Sequence, residues 1–203
     1  MTRDVVEIND FVVFMEHSEA EKPVVDKCGF TEDTIGFCFY GSGNVELNVA
    51  YGSQEKEYHN TKGLAMSFFA NGNTGFIHNV SPDKPLRCLV VCYNLSKLKE
   101  LPEQEKELYS QFLNELIAPN SDYVEGPSFH MAHDMQNAVD KVFSNTYEGT
   151  TGVMFLRSQV TELMAHFFAK MSSLEEPQDS IKNEDRKKLY EAKNILSEKM
   201  DAP

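Results

Sequence analysis

Hydrophobic and polar residues alternate through much of the first half of the chain, and clusters of Gly, Pro and Asn separate the alternating segments. The clearest segment spans residues 44–51, where Val45, Leu47, Val49 and Tyr51 alternate with polar or small residues. A period of two places successive side chains on opposite faces of a strand. The same pattern predicts strands over residues 35–40, 64–69, 76–80 and 86–93, and edge strands at the short apolar runs within residues 1–33. Short strands at this spacing predict a β-sandwich or small barrel.

After Tyr93 the apolar residues recur at every third or fourth position, which is the spacing of an amphipathic helix. This spacing predicts helices over residues 109–117, 135–143 and 153–171. A chain whose strands come first and whose helices follow belongs to the α+β class. We therefore predict an N-terminal β-sandwich or barrel followed by amphipathic helices.

The helix predicted over residues 153–171 carries an unusually wide apolar stripe. Its apolar side chains fall within an arc of about 140°: Leu156, Val160, Leu163, Met164, Phe167, Phe168 and Met171. The turn-forming residues 148–152 precede it. The stripe fits a plain core helix, and it also fits a helix that covers its own sheet and offers an edge to another chain.

The end of the chain forms a separate segment. Residues 174–180 include Glu175, Glu176 and Pro177 and indicate a linker, after which Asn183 is a plausible helix cap. The apolar stripe of the last predicted helix is Leu189, Ala192, Ile195, Leu196 and Met200. A helix of this length is marginal by itself in water, so we expect this stripe to find an apolar partner.

Composition and charge narrow the possible functions. The chain has 203 residues, is 41% hydrophobic and carries a formal net charge of −13, so it is a poor general binder of polyanions. It has no apolar run long enough to span a membrane and no signal-peptide segment at its start, and we expect a cytoplasmic location. Its four cysteines form no C-x-x-C motif, and buried thiols are the simplest expectation.

Three stretches resemble one family of regulators. The segment FCFYGSGNVEL (37–47) is similar to a sheet segment of that family. Residues 135–171 are similar to its short helix, Gly-containing break and long helix. The segment DRKKLYEAKNILSEKMDAP (185–203) is similar to the first helix of its DNA-binding domain. In these stretches the chain resembles the AraC-type bacterial transcription regulators, in the branch of the pyochelin-responsive regulators.

The resemblance implies a division of the chain. It implies a β-rich effector-sensing domain over residues 1–95, a helical dimerisation part over 96–173, a linker over 174–184 and, over 185–203, the first helix of a truncated helix-turn-helix domain. It also implies two partners, a small effector, which in the nearest branch would be siderophore-like, and a second copy of the chain in a homodimer. The base-reading helices would lie beyond Pro203, so DNA binding is expected only through the missing domain and no DNA contact is assigned within this chain.

The strongest alternative is a cupin-type metalloenzyme, whose fold is also a small β-barrel. Its metal site needs a His-x-His motif, which none of the six histidines provides. Glu57, His59 and His78 could still meet, but we expect no catalytic residues, no bound metal and no cofactor. A scaffold that only dimerises, without a ligand, is the third possibility.

Two sets of residues are candidates for the sensing and dimerising roles. The candidate effector pocket is Phe37, Phe39, Tyr51, His59, Phe68, Phe76 and His78, although these side chains could simply fill the barrel. The candidate dimer interface is Arg157, Val160, Met164, Phe168 and Met171. Within this set we expect Arg157, Met164 and Phe168 to reach across the twofold axis.

Overall fold

The computed structural model describes residues 1–8, 11–19, 21–82 and 84–173, together with the single residue 188. The predicted linker and, apart from residue 188, the predicted helix over 185–203 therefore lie outside the described residues. The strands are β1 (Thr2–Ile8), β2 (Phe11–Ser18), β3 (Val24–Gly29), β4 (Thr34–Ser42), β5 (Asn44–Tyr51), β6 (Gln54–Thr61), β7 (Leu64–Ala70), β8 (Thr74–Val80), β9 (Leu86–Asn94) and β10 (Tyr123–His130). A 3₁₀ helix covers Leu95–Glu100, and the α-helices are α1 (Glu103–Phe112), α2 (Asn114–Ile117), α3 (His133–Phe143) and α4 (Gly149–Ser173).

The strands form two antiparallel sheets that pack face to face. The larger sheet has six strands in the order β1-β2-β9-β4-β7-β10, and the smaller has four in the order β3-β8-β5-β6. Side chains of both sheets meet in one buried cluster, which includes Tyr40 and Met66 from the larger sheet and Leu47 and Phe76 from the smaller. The helices cover the other face of the larger sheet. This arrangement is the predicted α+β fold, with a cupin-like β-sandwich and amphipathic helices.

Strand β4 lies in the middle of the larger sheet and is buried on both faces. Phe37 and Phe39 point into the core under the helices, which we call the helix-side core. Cys38 and Tyr40 point into the cluster between the sheets, which we call the inter-sheet core. The backbone of β4 therefore separates the two cores, and its side chains enter one core and the other in alternation, as a period of two requires.

Two strands differ from the sequence prediction. The sequence predicts no strand over residues 54–62, but β6 lies there and pairs with β5 along its full length. Its composition is polar because it is an edge strand, in which Tyr58 and Asn60 are buried while their neighbours remain more exposed. Strand β10 falls inside the predicted helical part 96–173 and pairs with β7 at the edge of the larger sheet. A shift in register between Glu125 and Ser128 breaks its alternation, so no clean strand pattern was visible.

The helices also differ from the prediction in their bounds. The run over residues 109–117 is interrupted at Leu113 (φ −130°, ψ 28°), which separates α1 from α2. Helix α4 begins at Gly149, four residues before the predicted start. Gly149 has φ +57°, and the amide of Gly152 donates to the carbonyl oxygen of Glu148 at 3.3 Å. The predicted turn residues therefore form the first helical turn, where Gly and Thr cost less than in a helix interior. In the part of the chain that the structure describes, no helix has both the length and the apolar character needed to cross a lipid bilayer.

Candidate effector cavity

A cavity opens inside the inter-sheet core and contains about 650 Å³ of space free of protein atoms, part of it continuous with solvent. Both sheets and the segment after β3 contribute to its wall. The lining residues are Arg3, Phe14, Glu16, Cys28, Gly29, Phe30, Cys38, Tyr40, Leu47, Met66, Phe68, Phe76, His78, Val90 and Tyr123. An apolar enclosure with a few polar groups is the usual composition of a small-molecule site.

Four aromatic rings form one wall of this cavity. The ring of Phe68 lies 5.5 Å from Phe76 and 6.1 Å from Tyr123, with which it is nearly parallel at 27°. Phe30 meets Phe76 edge-to-face at 5.7 Å. Offset and edge-on contacts of this kind stabilise aromatic clusters, and the exposed part of such a cluster can accept the ring of a ligand. The geometry therefore favours a flat or aromatic guest.

Charged side chains also line the cavity, where the first two strands of the larger sheet face β3 of the smaller one. The Arg3 guanidinium donates to Glu16 Oε1 at 2.7 Å through Nε and to Asp26 Oδ2 at 2.8 Å through Nη2. Burial alone lowers the pKa of Arg3, but Glu16 and Asp26 outweigh it and raise the pKa above its ordinary value. Arg3 therefore stays charged and links the edges of the two sheets.

A thiol and an imidazole lie beside this ion-pair network. On the pairing of β3 with β8, Asp26 is directly opposite His78 and Cys28 is opposite Phe76. Cys28 Sγ lies 3.8 Å from His78 Nδ1, and one donor atom from each of Asp26, Cys28 and His78 lies within 4.8 Å of the other two. Burial raises the pKa of Cys28 to about 11 and lowers the pKa of His78. Without a ligand, the thiol is therefore protonated and the imidazole neutral at pH 7.

The remaining thiols are packed in the inter-sheet core. Cys38, Cys88 and Cys92 are free and buried, as the sequence predicts, while Cys28 is half-buried. Asn60 Nδ2 donates to the hydroxyl oxygen of Tyr40 at 2.9 Å. Burial raises the pKa of Tyr40 and of Cys88 well above their ordinary values, so both stay neutral. Of these residues, Cys28, Cys38 and Tyr40 line the cavity, to which the Tyr40 hydroxyl adds a neutral polar group.

The structure brings together three of the seven predicted pocket residues: Phe68, Phe76 and His78 line the cavity. Tyr51 is buried in the same core and lies 5.5 Å from the Tyr123 ring, but it is not part of the cavity lining. Phe37 and Phe39 do not line this cavity. They lie on the other face of β4, where their rings are 5.1 Å and 6.4 Å from Phe167 of α4. Alternation assigned them to one face, but it did not say which face encloses the cavity.

His59 does not meet His78. It follows Tyr58, which is buried in the inter-sheet core, so its side chain points to the other face of β6. There His59 Nε2 lies 3.3 Å from Glu57 Oε1. The possible trio of Glu57, His59 and His78 is therefore wrong, because two of its members face away from the cavity that the third one lines.

Sequence reasoning missed the polar residues Arg3, Glu16 and Cys28 of the cavity lining, and Asp26, which contacts Arg3. A weak signal existed, since Val24, Asp26 and Cys28 share one face of an alternating segment. Their neighbours across the sheets depend on the pairing of β3 with β8 and on the approach of β1, which one sequence does not reveal.

The predicted dimer-interface residues are mostly covered by their own subunit. Val160, Met164 and Phe168 belong to the helix-side core, and the Phe168 ring lies 5.2 Å from that of Tyr109 in α1. The expectation that Met164 and Phe168 reach a partner is therefore corrected, because α1 packs on that side of α4. Arg157 is exposed and Met171 is half-buried.

Comparison with known proteins gives a family and several structural neighbours. The family model for the N-terminal domain of the regulatory protein PchR matches residues 23–183. No curated protein sequence matches significantly. Among solved structures, the AraC-like transcriptional activator CuxR is 10% identical, with 84% of this chain and 55% of CuxR covered at a TM-score of 0.44. ToxT from Vibrio cholerae is 14% identical, with 81% and 57% covered at 0.42.

A cupin protein from Bacteroides fragilis is 12% identical over 46% of this chain and 76% of its own, with a TM-score of 0.32. The present chain spans a little over half the length of either regulator. The match to the family model covers β3 to β10 and every helix of the described part. It confirms the resemblance seen in the sequence: the chain belongs to the family of the PchR regulatory protein N-terminal domain, a portion of an AraC-type transcription regulator.

Proposed function

We propose that this chain senses a small, largely aromatic effector in the inter-sheet cavity and forms a homodimer through the exposed face of α4. DNA binding would belong to a part of the regulator outside the described residues, and the regulator would act in the cytoplasm. The observation that carries the proposal is the cavity itself, whose lining combines an aromatic wall with charged and hydrogen-bonding side chains.

The lining suggests the chemistry of the effector. Its ring would stack on Phe68, Phe76 and Tyr123, and a hydroxyl or another neutral hydrogen-bonding group would approach Arg3 and His78. An aromatic, siderophore-like compound offers both features, and it is the effector we propose.

A ligand-binding experiment tests this proposal. Mass spectrometry of protein purified under native conditions would identify a bound ligand, and thermal shift with a panel of aromatic carboxylates and siderophore-like chelators would rank candidates. We expect Phe76→Ala to abolish the shift and Ile77→Ala, whose side chain lies on the opposite face of β8, to keep it. Equal shifts in both variants would place binding outside the cavity.

The dimer proposal rests on the exposed face of α4. The exposed residues Met154, Arg157, Thr161, Ala165 and Ala169 follow one side of this helix. Most of them are small or flexible, so a second helix could approach closely without displacing the core. Met154 is 64% exposed although it is apolar, which also favours a partner at this face.

Sedimentation of a charged variant tests the dimer. We expect Ala165→Arg to give a folded monomer, because Arg retains helix propensity but introduces bulk and charge at the contact. The control is Gln111→Arg on an exposed position of α1, which should remain dimeric. By contrast, Phe168→Asp should unfold the protein, since that ring is buried in its own subunit. A dimer that Ala165→Arg leaves intact would place the interface elsewhere.

We also propose that the chain is a sensor and not an enzyme of cupin type. The charged groups at the cavity, Arg3 and Glu16, are engaged with each other, and His78 is the only imidazole in its lining. Incubation of the protein with the ligand that it binds should therefore return the ligand unchanged. Its time-dependent conversion, absent with Phe76→Ala, would favour the enzyme.

A further inference from the structure

Three side chains that could ligate a metal lie close together, and two of them, Cys28 and His78, line the cavity. We propose that Asp26, Cys28 and His78 bind a borderline-soft divalent cation of the zinc class. The site consists of the chain's own residues and does not depend on the effector proposed above.

The strand pairing brings the three donors together. Asp26 and Cys28 are two positions apart on β3 and therefore share a face, and His78 lies directly opposite Asp26 on β8. The separation of 3.8 Å between Cys28 Sγ and His78 Nδ1 is close to a ligand–ligand edge in a tetrahedral zinc site, about 3.5 Å for ordinary Zn–S and Zn–N bonds. Because the third donor lies within 4.8 Å of both, small side-chain rotations could complete the geometry.

The donor types select the class of ion. A thiolate and an imidazole favour zinc and related transition metals, whereas magnesium and calcium prefer a shell of oxygen atoms. The three protein donors leave a fourth coordination position for water or a ligand. Since Cys28 and His78 both line the cavity, that position is accessible from the cavity.

The surrounding charges suit a dication. Arg3 binds Asp26 through Oδ2 at 2.8 Å, which orients the carboxylate and leaves Oδ1 for the metal. Arg3 and Glu16 offset each other, so the Asp26 charge remains in excess at this end. A dication bound to the Asp26 carboxylate and the Cys28 thiolate would neutralise the cluster. Without such compensation, charge at a half-buried site is costly.

Binding must displace one proton. The Cys28 thiol loses its proton to form the metal–sulfur bond, and the proton passes to solvent. Burial raises the pKa of Cys28 to about 11. Glu16 on β2 and Asp26 on β3 also raise this pKa, whereas Arg3 on β1 lowers it. Burial keeps His78 neutral, so the imidazole releases none at pH 7.

The experiment is a titration of untagged, reduced, metal-free protein with cobalt(II), followed by competition with zinc. We expect one ion per chain and a thiolate-to-cobalt charge-transfer band. Cys28→Ser should remove the band, and both Cys28→Ser and His78→Gln should weaken binding more than a hundredfold. Arg3→Met should weaken it by roughly 10- to 100-fold, as expected for loss of a group that orients a ligand.

Matched controls separate this site from adventitious binding. Cys92→Ser and His59→Gln remove a thiol and an imidazole that lie outside the cluster, and they should retain the band. Circular dichroism of each variant establishes that it is folded. Alkylation of the parent protein gives a readout that needs no mutation: zinc should protect Cys28 from iodoacetamide, as peptide mass spectrometry would show. Absence of binding by the folded parent, unprotected Cys28, or equal binding by Cys28→Ser and Cys92→Ser would each overturn the proposal.

Discussion

The two faces of β4 border two different cores. On the helix side, Phe37 and Phe39 pack against Phe167, which is fully buried and also lies 5.2 Å from Phe129. On the other side, Cys38 and Tyr40 line a cavity that contains free volume, thiols and an ion pair. The difference indicates a division of roles. The helix-side core is closely packed and provides stability, whereas the inter-sheet core is incompletely filled and provides a place to bind.

The largest expected effect is the loss of a ring from the helix-side core. Phe167→Ala should lower the free energy of unfolding by about 3–5 kcal/mol, because it leaves an apolar void against four other aromatic rings. Phe76→Ala also removes a phenyl ring, but beside an existing cavity, and should therefore lower the free energy of unfolding by less. Urea unfolding of both variants measures the difference, and equal losses would contradict the division of roles.

A smaller effect follows from adding one methyl group on the cavity side of β4. An Ala side chain at Gly36 would overlap the ring of Phe68 and push that ring towards the cavity. We expect Gly36→Ala to cost about 1–3 kcal/mol and to weaken effector binding. Gly75→Ala is the control, since the nearest atom to its added Cβ is the Ala50 carbonyl oxygen at 4.0 Å. A parent-like ligand-induced shift in Gly36→Ala would mean that the effector does not use this volume.

The contribution of an ion pair to stability should also differ between the two regions. Lys141 and Glu162 join α3 to α4 at 3.8 Å, and both side chains are substantially exposed. Lys141→Met should therefore change stability by less than about 0.5 kcal/mol. Arg3→Met should lose about 1–3 kcal/mol, because the nearly buried carboxylate of Glu16 would remain without its partner. Thermal unfolding of both variants at low and moderate salt measures the two losses of stability. Equal losses would argue against a specific role for the Arg3–Glu16 pair.

The last effect depends on pH. Burial lowers the pKa of His78 below its ordinary value of 6.5, so the unfolded chain takes up this proton at a higher pH than the folded protein. The contribution of His78 to stability is therefore present above pH 6.5 and is lost as the pH falls below that value. His78→Gln should reduce the slope of unfolding free energy against pH in this range. Since Arg3, Glu16, Asp26 and Cys28 are present in both proteins, their effects largely cancel in the comparison.

The strands that could be predicted from the sequence are those whose own residues show the burial pattern. The segment 44–51 alternates cleanly and coincides with β5, and the nearly continuous apolar run after Pro85 forms β9, which is buried between the two cores. Edge strands show less of this pattern. Strand β6 is polar because only alternate side chains such as Tyr58 are buried, and the register shift in β10 disrupts its alternation.

The candidate site could be predicted only in part, for a similar reason. The pattern of β8 places Phe76 and His78 on one face, and both line the cavity. The same rule separates Phe37 and Phe39 from Cys38 and Tyr40, but a strand buried on both faces carries no mark of which face encloses the cavity. That choice depends on where the helices pack, because Phe167 of α4 occupies the Phe37 side.

The α+β class, most of the strands, the long amphipathic helix and the family resemblance follow from the sequence alone, because all of these depend on local periodicity or contiguous motifs. Which residues become neighbours depends instead on the tertiary fold. Arg3 and Asp26 are separated by 23 positions and Cys28 and His78 by 50, yet each pair is in contact. Strand register and the packing of the two sheets set such contacts, and both depend on the whole chain. The register is critical because a shift of one residue would turn every side chain of a strand to its other face.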